Sequence, residues 1–148
     1  MSKNLCRGKT TPKSDYTEFN NIWVEGDLIH SRERCYIHPL ANIVRVNGEL
    51  GKIIVMHEVV PSTLGWYTGK NDKNGREVFE GDIVRVKKFN NDPIIGKVVF
   101  NENTAGFEVW WNIVVGAYGE KATRKENFAV CGQMEVIGNI YDTPELLK

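Results

Sequence analysis

Residues 65–86, with the sequence GWYTGKNDKNGREVFEGDIVRV, constrain the fold of this chain more than any other segment. Asn74-Gly75 is the dipeptide that favours a type I′ hairpin tip, in which both central residues adopt positive φ. Gly81-Asp82 has the pattern of a second tight turn, because glycine tolerates positive φ and aspartate accepts hydrogen bonds from turn amides. The aliphatic run that follows indicates a strand. The segment therefore predicts two closely spaced turns that connect short β-strands.

The remainder of the chain also has the pattern of a mostly β protein. Helix-period patterns are nearly absent, and short β-branched and aromatic runs alternate with clusters of Gly, Asn, Asp and Pro. Asn47-Gly48 predicts a further hairpin turn, and residues 90–93 predict a loop, since Pro cannot donate to a sheet. The predicted strands are residues 22–24, 27–30, 34–37, 43–46, 52–60, 83–88, 96–100, 107–113 and 134–141.

Helix is expected in two short places at most. Thr143, Pro144 and Glu145 have the order of a cap, a first-turn proline and a first-turn acid, which predicts a short C-terminal helix of little more than one turn. A capping-box spacing that begins at Thr123 favours a second helical stretch over residues 123–128.

The chain contains a short internal echo. WVEGDLIH at residues 23–30 and VFEGDIVR at residues 78–85 share Glu-Gly-Asp followed by two aliphatic residues. The echo reflects either a duplicated subdomain or two independent turns. We favour two similar turns, because a Gly-Asp turn before an aliphatic strand arises independently.

Charge and cysteine content narrow the function classes. The 148 residues contain 19 Lys and Arg against 19 Asp and Glu, which lacks the strongly basic balance of bulk nucleic-acid binding but allows a local basic face. Three widely spaced cysteines make a poor disulfide framework and fit a reducing compartment. The N-terminus has no apolar stretch and no run is long enough to cross a membrane, so the expected location is cytoplasmic, away from membranes.

Several motifs occur together in the order typical of one known family. YTGKNDKNGREVFEGDIV occupies residues 67–84, RGK at residues 7–9 precedes WVEG at residues 23–26, and VIGNIYDTPELL at residues 136–147 closes the chain. In this combination the chain resembles the YopX family, short proteins carried by phages and prophages of bacteria. Lys70 departs from the usual pattern, in which this position is often Leu.

The resemblance implies a mostly β fold with a small SH3-like barrel in the C-terminal part. We expect one YopX-like unit over residues 1–148, made of an N-terminal β subdomain at residues 5–61 and an SH3-like barrel with the C-terminal helix at residues 65–148. The resemblance also implies self-association and a place in the bacterial host cell. It implies no catalytic residues, because the family has no assigned chemistry to transfer.

The acids of the central segment invite two chemical interpretations, and both are disfavoured. Glu77, Glu80 and Asp82 lie close together, as a glycosidase pair does, but turn aspartates more often bond backbone amides. If Gly75 stood at the glycine position of a calcium loop, Lys70 would occupy the first ligand position, where an acid is needed. A hairpin turn explains the same residues better.

Histidines and cysteines do not form a pattern typical of a metal site or a nucleophile. Cys35-x-x-His38 is one closely spaced pair, with His30 and His57 elsewhere, whereas structural zinc usually needs two such pairs. Cys6 lies beside cations but in a polar terminus without an evident base. We therefore expect no metal, no cofactor and no enzymatic activity.

Aromatic and cationic residues provide the candidate binding site, which consists of Arg85, Lys87, Lys88, Trp110 and Trp111. Strand alternation places Arg85 and Lys87 on one face and the two adjacent tryptophans on opposite faces. One tryptophan should then be buried, and the other partly exposed or covered by a partner. Aromatics near a basic face are also typical of single-stranded nucleic-acid binding.

Two functional hypotheses follow from these observations. The first is a non-enzymatic phage or prophage accessory module that acts as a homo-oligomer and binds a protein partner. The alternative is a β-barrel that binds single-stranded nucleic acid. An enzyme would need a pocket that brings together two of Glu80, Asp82, His57 and Cys35.

Overall fold

The computed structural model describes residues 5–12, 21–39, 44–46, 49–51, 56–87, 92–128, 131 and 133–148. Most of these residues lie in β-strands and very few in helices, which confirms the mostly β prediction. The strands are β1 (Cys6–Lys9), β2 (Trp23–Ser31), β3 (Arg34–Pro39), β4 (Val44–Val46), β5 (Glu49–Gly51), β6 (His57–Val59), β7 (Gly65–Asn71), β8 (Glu77–Phe79), β9 (Asp82–Val86), β10 (Ile94–Asn101), β11 (Gly106–Val115), β12 (Glu120–Asn127) and β13 (Met134–Asn139). The structure also contains two 3-10 turns, Pro61–Thr63 and Pro144–Leu147. The chain divides into two compact units, Met1–Tyr67 and Thr68–Lys148.

The first unit is an antiparallel sheet with the strand order β6-β3-β2-β1, extended by the beginning of β7. Its buried centre consists of Cys35, Ile37 and Val59, against which Val24, Leu28 and Leu64 pack. Strand β4 pairs with β5 in a separate two-stranded ladder. The predicted turn at Asn47-Gly48 lies between these two strands and outside the described residues.

The echoed Glu-Gly-Asp motifs have different structures. Gly26 lies inside strand β2 and pairs with both Cys6 and Pro39. Gly81 lies in the turn between β8 and β9, with a φ of 87°. The interpretation as two similar turns is therefore wrong for the first copy, where the glycine allows close strand approach instead: a Cβ at Gly26 would collide with the His38 carbonyl oxygen.

The second unit contains a five-stranded antiparallel sheet with the order β12-β11-β10-β9-β13, preceded by the β7–β8 connection. One face covers the core, which includes Val84, Val98, Val109, Phe128 and Met134. Among the described residues, β12 pairs only with β11 and β13 only with β9, so the sheet is open. The closure expected of an SH3-like barrel is not seen in this pairing.

The turn between β7 and β8 differs from the predicted type I′ hairpin. The Gly75 N–H donates to the Asp72 carbonyl at 3.0 Å, and the Asp72 N–H donates to the Arg76 carbonyl at 2.7 Å. Gly75 has a φ of 81°, but Asn74 is not among the residues with positive φ. The connection is therefore a type I turn followed by a left-handed glycine. The Asp72 carboxylate favours this form because it accepts the Asn74 N–H at 2.8 Å.

Two helix predictions are corrected by the structure. Residues 123–128 belong mostly to strand β12, because cross-strand pairing with β11 outweighs the local capping pattern. The C-terminal segment forms a four-residue 3-10 turn, Pro144–Leu147, without a side-chain cap. The Thr143 hydroxyl bonds backward instead, accepting the Asn139 N–H at 3.1 Å. Within the described residues, no helix is long and apolar enough to span a membrane.

Candidate binding surfaces

The predicted site residues lie in the five-stranded sheet of the second unit. Arg85 is on strand β9, Lys87 directly follows that strand, and Trp110 and Trp111 are adjacent on β11. Lys88 lies outside the described residues. Arg85 and Trp110 point to the same side of the sheet, since the register pairs Arg85 with Ile95 on β10 and Trp110 with Lys97 two positions along.

The two tryptophans point to opposite faces, as predicted. Trp111 packs against the core cluster, whereas Trp110 lies on the other face. Both are half-buried, so Trp110 is partly exposed as expected, while the burial expected of its neighbour Trp111 is only partial. The reason is their position near the open side of the sheet, where β12 is the outermost strand.

Trp110 is enclosed by polar and cationic groups. The Lys125 ammonium lies 3.9 Å from the ring centroid and the Lys97 ammonium lies 6.0 Å away, from the strands on either side. The indole N–H donates to Glu108 Oε2 at 2.7 Å. This bond lowers the pKa of the Glu108 carboxyl, with further donation from Asn101 in the same direction. The ring is thus held in place and has a carboxylate at its edge.

Arg85 and Lys87 line a groove of about 210 Å³ together with Lys73, Met134 and Glu135. The Lys73 ammonium lies 2.9 Å from Glu135 Oε2, and Arg85 Nη1 lies 3.6 Å from the same oxygen. The bond from Lys73 lowers the pKa of Glu135, and the charge of Arg85 acts in the same direction. Two cations of this groove are therefore already paired with an acid.

The turn between β7 and β8, which we call the signature turn (residues 72–75), contributes Lys73 to this groove. The Asp72 carboxylate accepts N–H groups from Asn74, Arg76 and Val136, at 2.8, 2.9 and 3.1 Å. Burial by itself would raise the pKa of Asp72, but these three donors outweigh it and lower the pKa. Asp82 plays a similar role in the next turn, where it accepts the Phe79 N–H at 2.8 Å. The carboxylates of Asp72 and Asp82 therefore accept hydrogen bonds from backbone N–H groups, which hold the two turns in place.

The residues considered for metal or nucleophile chemistry are spread over the first unit. Cys35 is buried, and its sulfur lies 3.6 Å from His30 Nδ1 on the neighbouring strand. His57 is paired with Ile37 in the sheet. In the part of the chain that the structure describes, no three His, Cys, Asp or Glu side chains form a group that could hold a metal ion.

One surface was missed by the sequence reasoning: the end of the β11–β12 hairpin. We call Val114, Val115 and Tyr118 the hairpin tip; they are 69%, 36% and 93% exposed. The pairs between β10 and β11 end at Lys97–Trp110, whereas β11 and β12 remain paired as far as Val115–Glu120. The run of aliphatic residues in β11 is evident from the sequence. The exposure of its end, however, depends on where the pairing between β10 and β11 ends.

Comparison with known proteins identifies one family. Residues 13–148 match the family model described as YopX protein, which is nearly the whole chain. A search of curated proteins found no match.

Proposed function

Because this chain belongs to the YopX family, we propose that it is a non-enzymatic phage or prophage accessory module that acts by self-assembly and by binding a protein partner. The observation that carries the proposal is the hairpin tip. Its three apolar or aromatic side chains are exposed within five residues of one another, and clusters of exposed apolar side chains are typical of interaction sites. The net charge is neutral, and the carboxylates of Asp72 and Asp82 accept hydrogen bonds from backbone N–H groups. Both observations support a binding role over a catalytic one.

The end of the β11–β12 hairpin would also be stabilised by contact with a partner. A two-stranded hairpin alone is only marginally stable in water. Among the described residues, the pairing of β10 with β11 ends at Lys97–Trp110, whereas β11 and β12 stay paired as far as Val115–Glu120, and Tyr118 is 93% exposed. A second copy of the chain that covers the tip would remove Val114 and Tyr118 from water, which is favourable by roughly 25 cal/mol per Å² of apolar area.

The self-assembly part is tested by light scattering over a concentration series. We expect the parent protein to form oligomers, and the double variant Val114→Ser, Tyr118→Ser to associate at least about tenfold more weakly, because it removes the apolar area of the tip. Met56→Ser is the matched control, since Met56 is 48% exposed but lies in the first unit. A parent protein that is monomeric at all concentrations would overturn self-assembly.

The partner-binding part is tested by affinity capture from phage-infected cells. The parent protein and the tip variant serve as parallel baits, each with and without nuclease. A protein that is retained by the parent after nuclease treatment and lost from the tip variant fits the proposal. A partner lost on nuclease treatment alone would contradict direct protein binding and favour nucleic acid.

Single-stranded nucleic-acid binding is the second candidate. It is supported by Arg85, Lys97 and Lys125 on the same face as Trp110. Base stacking would have to displace Lys125 from the ring, and both Glu108 and Glu135 would approach the phosphates.

The SH3-like barrel proposed for this unit is supported by its antiparallel strands and the final 3-10 turn.

A further inference from the structure

Strand β12, Glu120–Asn127, is the outermost strand of the five-stranded sheet and pairs with β11 alone among the described residues. Most of its side chains are exposed, with Ala122 and Glu126 half-buried. An outermost strand offers backbone N–H and C=O groups with which another strand can pair. We propose that β12 pairs antiparallel with β12 of a second copy of this chain, about a two-fold axis at Ala122. This inference rests on the proposed self-assembly and adds a second contact between copies, distinct from the hairpin tip.

Symmetry limits how two β12 strands can pair. A two-fold axis normal to the sheet relates two antiparallel edges and keeps each side chain on the same face in both copies. Residues that face each other must then lie on the same face, and so an even number of positions apart. The axis therefore always passes at a residue of β12, and each choice of that residue gives one register.

Charge selects one of these registers. An axis at Thr123 places Lys121 opposite Lys125, and an axis at a charged residue such as Arg124 places that residue opposite its own copy. An axis at Ala122 instead places Glu120 opposite Arg124, twice by symmetry. Opposite charges across a strand pair are stabilising and like charges are destabilising. The charges of β12 thus oppose its other central registers and favour the one at Ala122.

Packing supports the same register. Within one copy, Ala122 is paired with Ile113 on β11, and both side chains are half-buried. The proposed axis brings two copies of Ala122 together, so that Ile113, Ala122, Ala122 and Ile113 form a continuous apolar row across four strands. In the next row, Arg124 is paired with Trp111 and meets Glu120 of the second copy.

The size of this contact predicts its strength. A pairing of about five residues per strand lies below the roughly 1,200 Å² of a standard interface, so we expect reversible association rather than an obligate dimer. Charged outermost strands commonly prevent pairing with other proteins. Here the charges of β12 are complementary to those of β12 in a second copy. The edge therefore favours pairing with another copy of this chain over pairing with other proteins.

Disulfide trapping tests the register. At the proposed axis the two Ala122 Cα atoms are roughly 4.5–5.5 Å apart, within disulfide reach. Two Thr123 residues would each face Lys121 and be separated by roughly 8 Å, beyond that reach. We expect rapid cross-linking of Ala122→Cys under mild oxidation and little of Thr123→Cys. The parent, whose Cys6, Cys35 and Cys131 are buried, is the background control.

Charge exchange tests the same register without cysteine. Glu120→Arg or Arg124→Glu alone turns two attractive pairs into two repulsive ones, so each should raise the dissociation constant about tenfold or more. The double variant restores opposite charges and should return it to within about threefold of the parent. Circular dichroism and melting of each variant check that the exposed positions leave the fold intact.

The outcomes separate this inference from the proposed function. A parent that associates, without cross-linking through Ala122→Cys and without rescue in the double charge variant, overturns β12 pairing and leaves self-assembly in place. A parent that is monomeric at all concentrations overturns both. Equal cross-linking of Ala122→Cys and Thr123→Cys overturns the register.

Discussion

At the scale of single residues, the signature turn depends on one left-handed glycine. Gly75 has a φ of 81° and a Cβ there would meet nothing within 4 Å, so Gly75→Val strains the backbone without a collision. We expect a loss of about 1–3 kcal/mol in unfolding free energy. Asn74→Ala should cost far less, because Asn74 lacks the positive φ of a type I′ turn. Urea unfolding of both variants checks this; equal losses would restore the type I′ interpretation.

Asp72 makes a second prediction at this scale. Asp72→Ala removes the three hydrogen bonds that its carboxylate accepts from backbone N–H groups. It should lower the unfolding free energy by about 1–3 kcal/mol. The folded-state pKa of Asp72 is lowered from 3.8. The carboxylate therefore stabilises the fold fully above that value and loses this effect as pH falls through the lower folded pKa. Unfolding measured from about pH 6 to about pH 3 should show the difference between parent and variant shrinking. Asp92→Asn, at an exposed position, is the control.

The candidate site was predictable only in part from these residues. Alternation was sufficient to place Trp110 and Trp111 on opposite faces. It could not reveal that Lys125 would cover Trp110, because that contact depends on β12 being a strand. Nor could it reveal that Glu135 would pair with Arg85, since this needs the register of β13 on β9.

At the scale of elements, strands with buried apolar residues were predictable and polar strands were not. The predicted strands 96–100 and 107–113 lie inside β10 and β11, whose alternating core residues include Val98 and Val109. Strand β12 has almost no buried side chain, so its sequence EKATRKEN has no apolar period to detect. Strand β1, with the sequence CRGK, was missed although its first three residues are buried. Both strands are defined by pairing with neighbours rather than by their own pattern.

The C-terminal element allows a packing prediction. A Cβ at Gly138 would collide with Thr143 Oγ1 and lie 3.0 Å from Leu146 Cδ1, at the bulge of β13. Gly138→Ala should displace the 3-10 turn and cost about 1–3 kcal/mol. Thermal melting measures the loss, and carboxypeptidase digestion reports release of the C-terminus. Gly106→Ala is the control, because its nearest atom would be 3.8 Å away. Equal melting of both variants would show that the turn does not depend on this glycine.

At the scale of the whole molecule, net charge separates the two functional hypotheses better than any one residue. A balance of 19 cations and 19 acids gives no long-range attraction to phosphates. Lys125, the cation nearest Trp110, is close enough to Glu108 to lower its pKa, and Lys73 and Arg85 are paired with Glu135. The sheet face that carries Trp110 and Arg85, where nucleic acid would bind, therefore has both cations and acids, like the chain as a whole.

We therefore expect no binding of a single-stranded thymidine oligonucleotide at micromolar protein and about 0.15 M salt, because few counterions would be released. Fluorescence anisotropy across a salt series measures it. The Glu108→Gln, Glu135→Gln variant is the informative comparison, since it leaves the cations in place and removes two nearby acids. Weak, salt-sensitive binding by that variant alone would show that acidic partners neutralise the face. Tight binding by the parent that falls steeply with salt and is lost in Arg85→Ala, Lys87→Ala would contradict the proposed function and establish the nucleic-acid alternative.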